Sequence, residues 1–169
     1  MRITSLLALV LLAELCGCAG YRVGPSNGQK AGEKSVQITP FVNHSPEPGL
    51  ADEVTSALRA SIQRDGTIRL ATHADGDLIV TGVLSEYRRR ELSLMSTDVR
   101  TVTDYQVSLV AQVTVRERAT GRIVTERTVT GNTLLRVGED FGSTERQAAP
   151  LLAQDVARQI TDLLVDGDW

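Results

Sequence analysis

Between Leu50 and Ile62 apolar side chains recur every fourth residue, at Leu50, Val54, Leu58 and Ile62, with Asp52 and Glu53 in front, Arg59 and Arg64 further on, and Gly66 behind. That period winds one apolar stripe along an α-helix, acidic residues suit its amino end, and glycine stops it. Further along the period changes. Tyr105, Val107, Leu109, Ala111, Val113 and Val115 alternate with Asp104, Gln106, Ser108, Gln112, Thr114 and Arg116, and only Val110 breaks the pattern. Period two predicts a strand with one buried and one polar face. Ala119, Thr120 and Gly121 follow as a short turn with a residue free to take positive φ, so Ile123 to Leu135 is predicted to return as the antiparallel partner. Leu78 to Tyr87 is another β-rich run.

Two further elements flank this centre. Val36 and Ile38 alternate with Gln37 and Thr39, predicting a short strand that Pro40 places at an edge and that the turn-rich stretch Asn43 to Gly49 ends. Leu152, Val156, Ile160 and Leu163 mark a second amphipathic helix, which starts either at a Thr144 cap with Gln147 three residues on or at Pro150. The predicted order is strand, helix, three strands, helix. This is an α+β fold: a four-stranded, largely antiparallel sheet with two helices packed on one face, leaving the Gln106 and Gln112 side to something polar.

Composition changes this picture little. A chain of 169 residues with 41% hydrophobic positions suffices for one domain with a real core. The formal net charge of −3 gives no overall pull toward nucleic acid, and no nucleic-acid partner is expected.

The amino terminus carries more. Arg2 precedes an apolar stretch from Ile3 to Ala13, the length of a signal peptide's hydrophobic core and short of the ~20 residues that span a bilayer. The chain's two cysteines, Cys16 and Cys18, stand one residue apart, too close for a loop-closing disulfide and one position short of a C-x-x-C redox pair. Leu15, Cys16, Gly17 and Cys18 resemble a bacterial lipoprotein box. That resemblance implies cleavage before Cys18, loss of Cys16 with the signal, and acyl chains on Cys18; the alternative is a plain secretory signal that leaves one exposed thiol. Ala19 in place of Asp then implies outer-membrane sorting. Residues 19–34, AGYRVGPSNGQKAGEK, have linker composition and a mean reach of roughly 20 Å. The expected organisation is a signal peptide over 1–17, a lipidated cysteine and tether over 18–34, and an α+β domain over 35–169.

Candidate catalytic chemistry is sparse. His73, Asp75 and Asp77 stand close enough to suggest a metal site, but HADGD reads better as a polar turn before a strand, and no second cluster has ligand spacing. His44 sits in a proline-rich turn, and no nucleophile elbow, phosphate loop or H-E-x-x-H pattern is present. No catalytic residue, metal or cofactor is expected apart from covalent lipid on Cys18. Arg88, Arg89 and Arg90 form a cationic run whose guanidinium forks match phosphate oxygens, although such runs are also ordinary solvated surface and Glu86 and Glu91 flank this one.

Taken in order, GYRVG, ITPFVNHSPEPGLADEVTSALRASIQRDGTIRL, GDLIVTGVLSEYRRR, VTDYQVSLVAQVTVRERATGRIVTERTVTG and a terminal helix closing on DGDW resemble the lipopolysaccharide-assembly lipoprotein family, LptE. The resemblance runs over nearly the whole mature chain. It implies a lipid-anchored subunit on the periplasmic face of the outer membrane that plugs and helps assemble the LptD-type β-barrel and contacts lipopolysaccharide, with Arg88, Arg89 and Arg90 as candidate lipopolysaccharide-binding residues. The competing resemblance is to outer-membrane lipoproteins that activate peptidoglycan synthases, in which a phrase like PFVNHS also precedes a helix. Those carry a longer tether.

Overall fold

The computed structural model describes residues 32–95, 98–136 and 141–167. Eight elements follow in order: β1 Ser35–Ile38, β2 Val42–Asn43, α1 Leu50–Asp65, β3 Arg69–Leu70, β4 Leu78–Met95, β5 Asp98–Glu117, β6 Ile123–Arg136 and α2 Phe141–Val165. The sheet has six strands in the order β3-β1-β4-β5-β6, with β2 beside β4 beyond β1.

The α+β class stands, and the sheet differs from the four-stranded, largely antiparallel expectation. β4–β5 and β5–β6 are antiparallel, whereas β1–β3, β1–β4 and β2–β4 are parallel. The reason is chain geometry: α1 intervenes between β1 and β4 and carries the chain back to the starting end of the sheet, as a crossover between parallel strands must. β1 and β2 are in effect one edge strand broken at Thr39, Pro40 and Phe41, where Thr39 N–H still donates to the Val80 carbonyl at 3.0 Å and His44 N–H to that of Leu84 at 2.8 Å. Pro40 lies in the break after β1, and over its first two residues β1 is not outermost, because β3 pairs with them. Upstream of β1, Gly32 N–H donates to the Thr67 carbonyl at 2.8 Å and the Lys34 carbonyl accepts from Arg69 N–H at 3.0 Å.

Sequence logic explains the helices. α1 buries Leu50, Val54, Leu58 and Ile62, carries Asp52 and Glu53 in its first turn, and ends at Gly66, whose φ of 73° lets its N–H cap the Ile62 carbonyl at 3.0 Å. α2 begins at Phe141, before either start predicted for it, and runs through Pro150. Proline forfeits one helix hydrogen bond, and burial of Ala148, Leu152, Ala153, Val156, Ala157, Ile160 and Leu164 holds the helix in place against that loss. The Thr161 and Ser61 hydroxyls hydrogen-bond at 2.8 Å and tie α2 to α1.

The core lies between the helices and one sheet face. Val107, Leu109, Ala111, Val113 and Val115 of β5 are fully buried, whereas Gln112 among them and Arg116 just after them are exposed. Three glycines, Gly76, Gly82 and Gly131, admit close neighbours. A Cβ on Gly82 would lie 2.0 Å from the Phe41 ring, and one on Gly131 would lie 2.6 Å from Val156 Cγ2 and 3.0 Å from the Leu152 carbonyl of α2.

Candidate functional site

The face of the sheet turned away from the helices is the candidate surface, and a single extra residue in β4 decides its make-up. Leu84 pairs with Ala111 and Glu86 with Val110, so Ser85 is a bulge. Paired residues share a face and side chains alternate, so the bulge inverts the facing of the residues from Glu86 to Glu91, after which the register shifts again. Before Ser85, Leu78, Val80 and Leu84 point into the core; after it, Glu86, Arg88 and Arg90 pair with Val110, Ser108 and Gln106 and join the open face. Tyr87 and Arg89 pair with Leu109 and Val107 and take the helix side, where the Arg89 guanidinium lies 5.7 Å from the Tyr87 ring centroid.

The arginine run is therefore divided. β4 continues past the expected end at Tyr87 to Met95, so Arg88, Arg89 and Arg90 lie within a paired strand rather than at its end. Arg88 and Arg90 share the open face, and Arg88 forms an ion pair with Glu86. Arg89 is on the other side. Sequence reading missed a third arginine: Arg136 of β6 pairs with Asp104 of β5, in register just beyond Leu134 and Gln106, and its Nε donates to Asp104 Oδ1 at 3.1 Å. Strand spacing of ~4.8 Å and ~3.3 Å rise per residue place Arg136 and Arg90 roughly 12 Å apart across β5. No signal along the chain marks this approach, since it follows from the register of β6 on β5. Exposed ion pairs of this kind contribute little to stability, so their cations stay available to an incoming anion.

The rest of the face is polar with scattered apolar points. Gln106, Ser108, Gln112 and Thr114 run up its centre, and Gln106 Nε2 donates to Asn132 Oδ1 at 3.4 Å. Leu134 is 70% exposed beside Gln106, and Val42 lies beside Val83 over a shallow cavity of about 360 Å³.

The HADGD segment is a turn with a structural use. Ser35 N–H and Oγ–H both donate to Asp77 Oδ2, at 2.9 and 2.6 Å, which holds the Asp77 carboxyl below its usual pKa. Arg118 Nε donates to the Gly76 carbonyl at 2.6 Å, and its guanidinium also bonds the Gln37 side chain. The His73 ring nitrogen Nδ1 shares a hydrogen bond with Thr72 Oγ1. Among the described residues no three His, Cys, Asp or Glu side chains gather as a metal site, and no helix is long and apolar enough to cross a membrane. Cys18 lies outside the described residues.

The family model for LptE, lipopolysaccharide-assembly, matches residues 33–165. The chain belongs to the LptE family. No curated protein gives a significant match. Among solved structures, the LptE fold seen here resembles a minor lipoprotein from Acinetobacter baumannii at 17% identity and TM-score 0.52, covering 78% of this chain and 92% of that one. It also resembles a protein from Chlamydia trachomatis at 11% identity and TM-score 0.57, covering 80% and 96%. A protein from Xanthomonas campestris matches at 14% identity and TM-score 0.53, covering 86% and 89%. At such identities the likeness is one of fold, the same two helices on a mixed sheet. Lipopolysaccharide assembly is the task of the LptE family, and it is not a catalytic one.

Proposed function

We propose that this protein is a non-catalytic subunit of the lipopolysaccharide translocon, anchored through acylated Cys18 to the periplasmic face of the outer membrane, partnering the LptD-type β-barrel and assisting lipopolysaccharide insertion at the cell surface. The observation that carries the reading is the family match over residues 33–165, on a fold whose open sheet face is polar. The interior of a large barrel is polar and hydrated, and a face of Gln106, Ser108, Gln112 and Thr114 makes hydrogen bonds there that an apolar face could not. The tether, which ends where Gly32 is hydrogen-bonded to Thr67, reaches roughly 20 Å, which keeps the domain beside its anchor and suits a membrane-embedded partner. Several acyl chains hold a protein stably at a bilayer where one chain does so only marginally.

Lipopolysaccharide phosphates would meet Arg88 and Arg90, with Arg136 across the sheet, since planar guanidinium groups take phosphate oxygens in pairs. The deciding experiment is affinity purification of the full-length protein from detergent-solubilised outer membranes after crosslinking in cells. Recovery of a large β-barrel near one-to-one is the expected result. Recovery of a peptidoglycan synthase without a barrel would overturn the reading in favour of a cell-wall enzyme activator.

A further inference from the structure

Among the described residues β6 is the last strand of the sheet and pairs on one side only, with β5. Its outer edge is treated in two ways. Towards the carboxyl end α2 closes it: the Asn132 N–H donates to Asp155 Oδ2 at 3.0 Å, and Gln159 Nε2 donates to the Thr130 carbonyl at 3.0 Å. These bonds fix which backbone groups face outward. The register with β5 is unbroken from Thr125 to Arg136, so the N–H and C=O of Glu126 and Thr128 point to the same outer side as those of Thr130 and Asn132. Beside Glu126 and Thr128, α2 stands back from the edge and leaves a groove of about 590 Å³ over Val124, Val129 and Leu163.

We propose that this open half of the β6 edge binds an extended segment of a partner protein by strand addition, and that the segment alternates apolar and basic side chains. The backbone of Glu126 and Thr128 supplies the pairing, as exposed edges do for added strands. Side chains of an added strand that face the helices enter the groove, whose floor of Val124, Val129 and Leu163 takes apolar groups. Side chains on the opposite side stand across from Glu126, an exposed carboxylate on the open face, where a basic partner forms a favourable cross-strand pair. Asp162, Asp166 and Arg127 give the groove polar walls around its apolar floor, and the basic positions of the segment are set by Glu126 on the other face. Gln159 on the Thr130 carbonyl sets the end of the site, limiting the added strand to about five residues, roughly 16 Å.

The probe is a fluorescein-labelled six-residue peptide of alternating lysine and valine, titrated with the intact protein and followed by anisotropy. Binding is expected, and it should weaken by at least roughly tenfold when the peptide carries N-methyl groups on alternate residues, which removes its ladder donors without changing its charge. Thr128→Pro should have the same effect while leaving the β5–β6 ladder intact, because the Thr128 N–H faces away from β5. The variant Glu126→Lys should exchange preference to a glutamate–valine peptide, a readout that does not depend on the proline variant folding. Absence of binding by the lysine–valine peptide, equal binding of its N-methylated form, or no exchange of preference in the charge-reversed variant would each overturn the proposal.

Discussion

Replacing Gly131 by alanine tests how tightly α2 is seated on the sheet. Gly131 is buried on the helix side of β6, opposite Leu109, and an added methyl there would lie 2.6 Å from Val156 Cγ2, 3.0 Å from the Leu152 carbonyl oxygen and 3.2 Å from the Val156 nitrogen. Two of those three atoms are helix backbone, so no rotamer change alone relieves the contact. α2 must move away from β6 by some tenths of an ångström along a seam packed by Leu152, Val156 and Ile160, each fully buried. Overpacking of a filled core costs typically 1–3 kcal/mol, and the backbone contacts favour the upper half, about 2–3 kcal/mol. For a domain of this size that is a fall in melting temperature of roughly 6–10 °C. The assay is urea and thermal unfolding of Gly131→Ala, of Val156→Ala and of the double variant. Removing the Val156 methyls takes away the nearest of the three contacts, so the double variant should be more stable than the sum of the single effects by about 1 kcal/mol or more. Rescue stays partial because the Leu152 carbonyl contact remains. Additive effects, or a Gly131→Ala protein as stable as the parent, would refute the close seating of α2 on β6.

Other expectations follow from the same geometry. Gly82→Val should destabilise by about 2–4 kcal/mol, measured as a lower urea midpoint, because its side chain would occupy the place of the buried Phe41 ring. The depressed pKa of Asp77 implies stability that is complete above the ordinary carboxylate pKa and is lost as pH falls through the lower folded value. Asp77→Asn should therefore flatten the acid limb of stability against pH, and an unchanged slope below pH ~4 would contradict the role given to the Ser35 hydrogen bonds. If the open face meets lipopolysaccharide, Arg88→Ser with Arg90→Ser should weaken binding in a direct assay more than Arg89→Ser, since the bulge at Ser85 turns Arg89 to the other side; equal losses would reject the division of the run. Cys18→Ala should release the folded protein from membranes in cells lacking the barrel partner, and retention there would contradict the anchor.

How far the fold was legible differs from element to element. α1 was readable to within a residue because its apolar period, acidic first turn and stopping glycine are all local. The inward face of β5 was equally plain, each alternate residue from Val107 to Val115 being buried as its period required. The candidate surface was only half legible. Its polar centre followed from that alternation, but Ser85 carries no mark of a bulge, so the separation of Arg89 from Arg88 and Arg90 could not be read along the chain, nor could the approach of Arg136. The start of α2 was misplaced because Thr144 and Pro150 are good local starting signals, and a helix packed on a sheet can run past both.

By itself, then, the sequence determined which segments form the longer strands and the helices and which of their faces turn inward, since propensity and hydrophobic period act within a few residues of one another. It also determined membership of the LptE family, which rests on the order of those segments over residues 33–165. Tertiary structure alone decided that β1, β2 and β3 join the sheet in parallel, that β4 shifts register at Ser85, and that α2 closes one half of the β6 edge and leaves the other open. These are choices among pairings of groups as far as 42 residues apart, as between Ser35 and Asp77. Strands of two residues have no period to read, and their pairing is settled by competition for backbone partners once the core has formed.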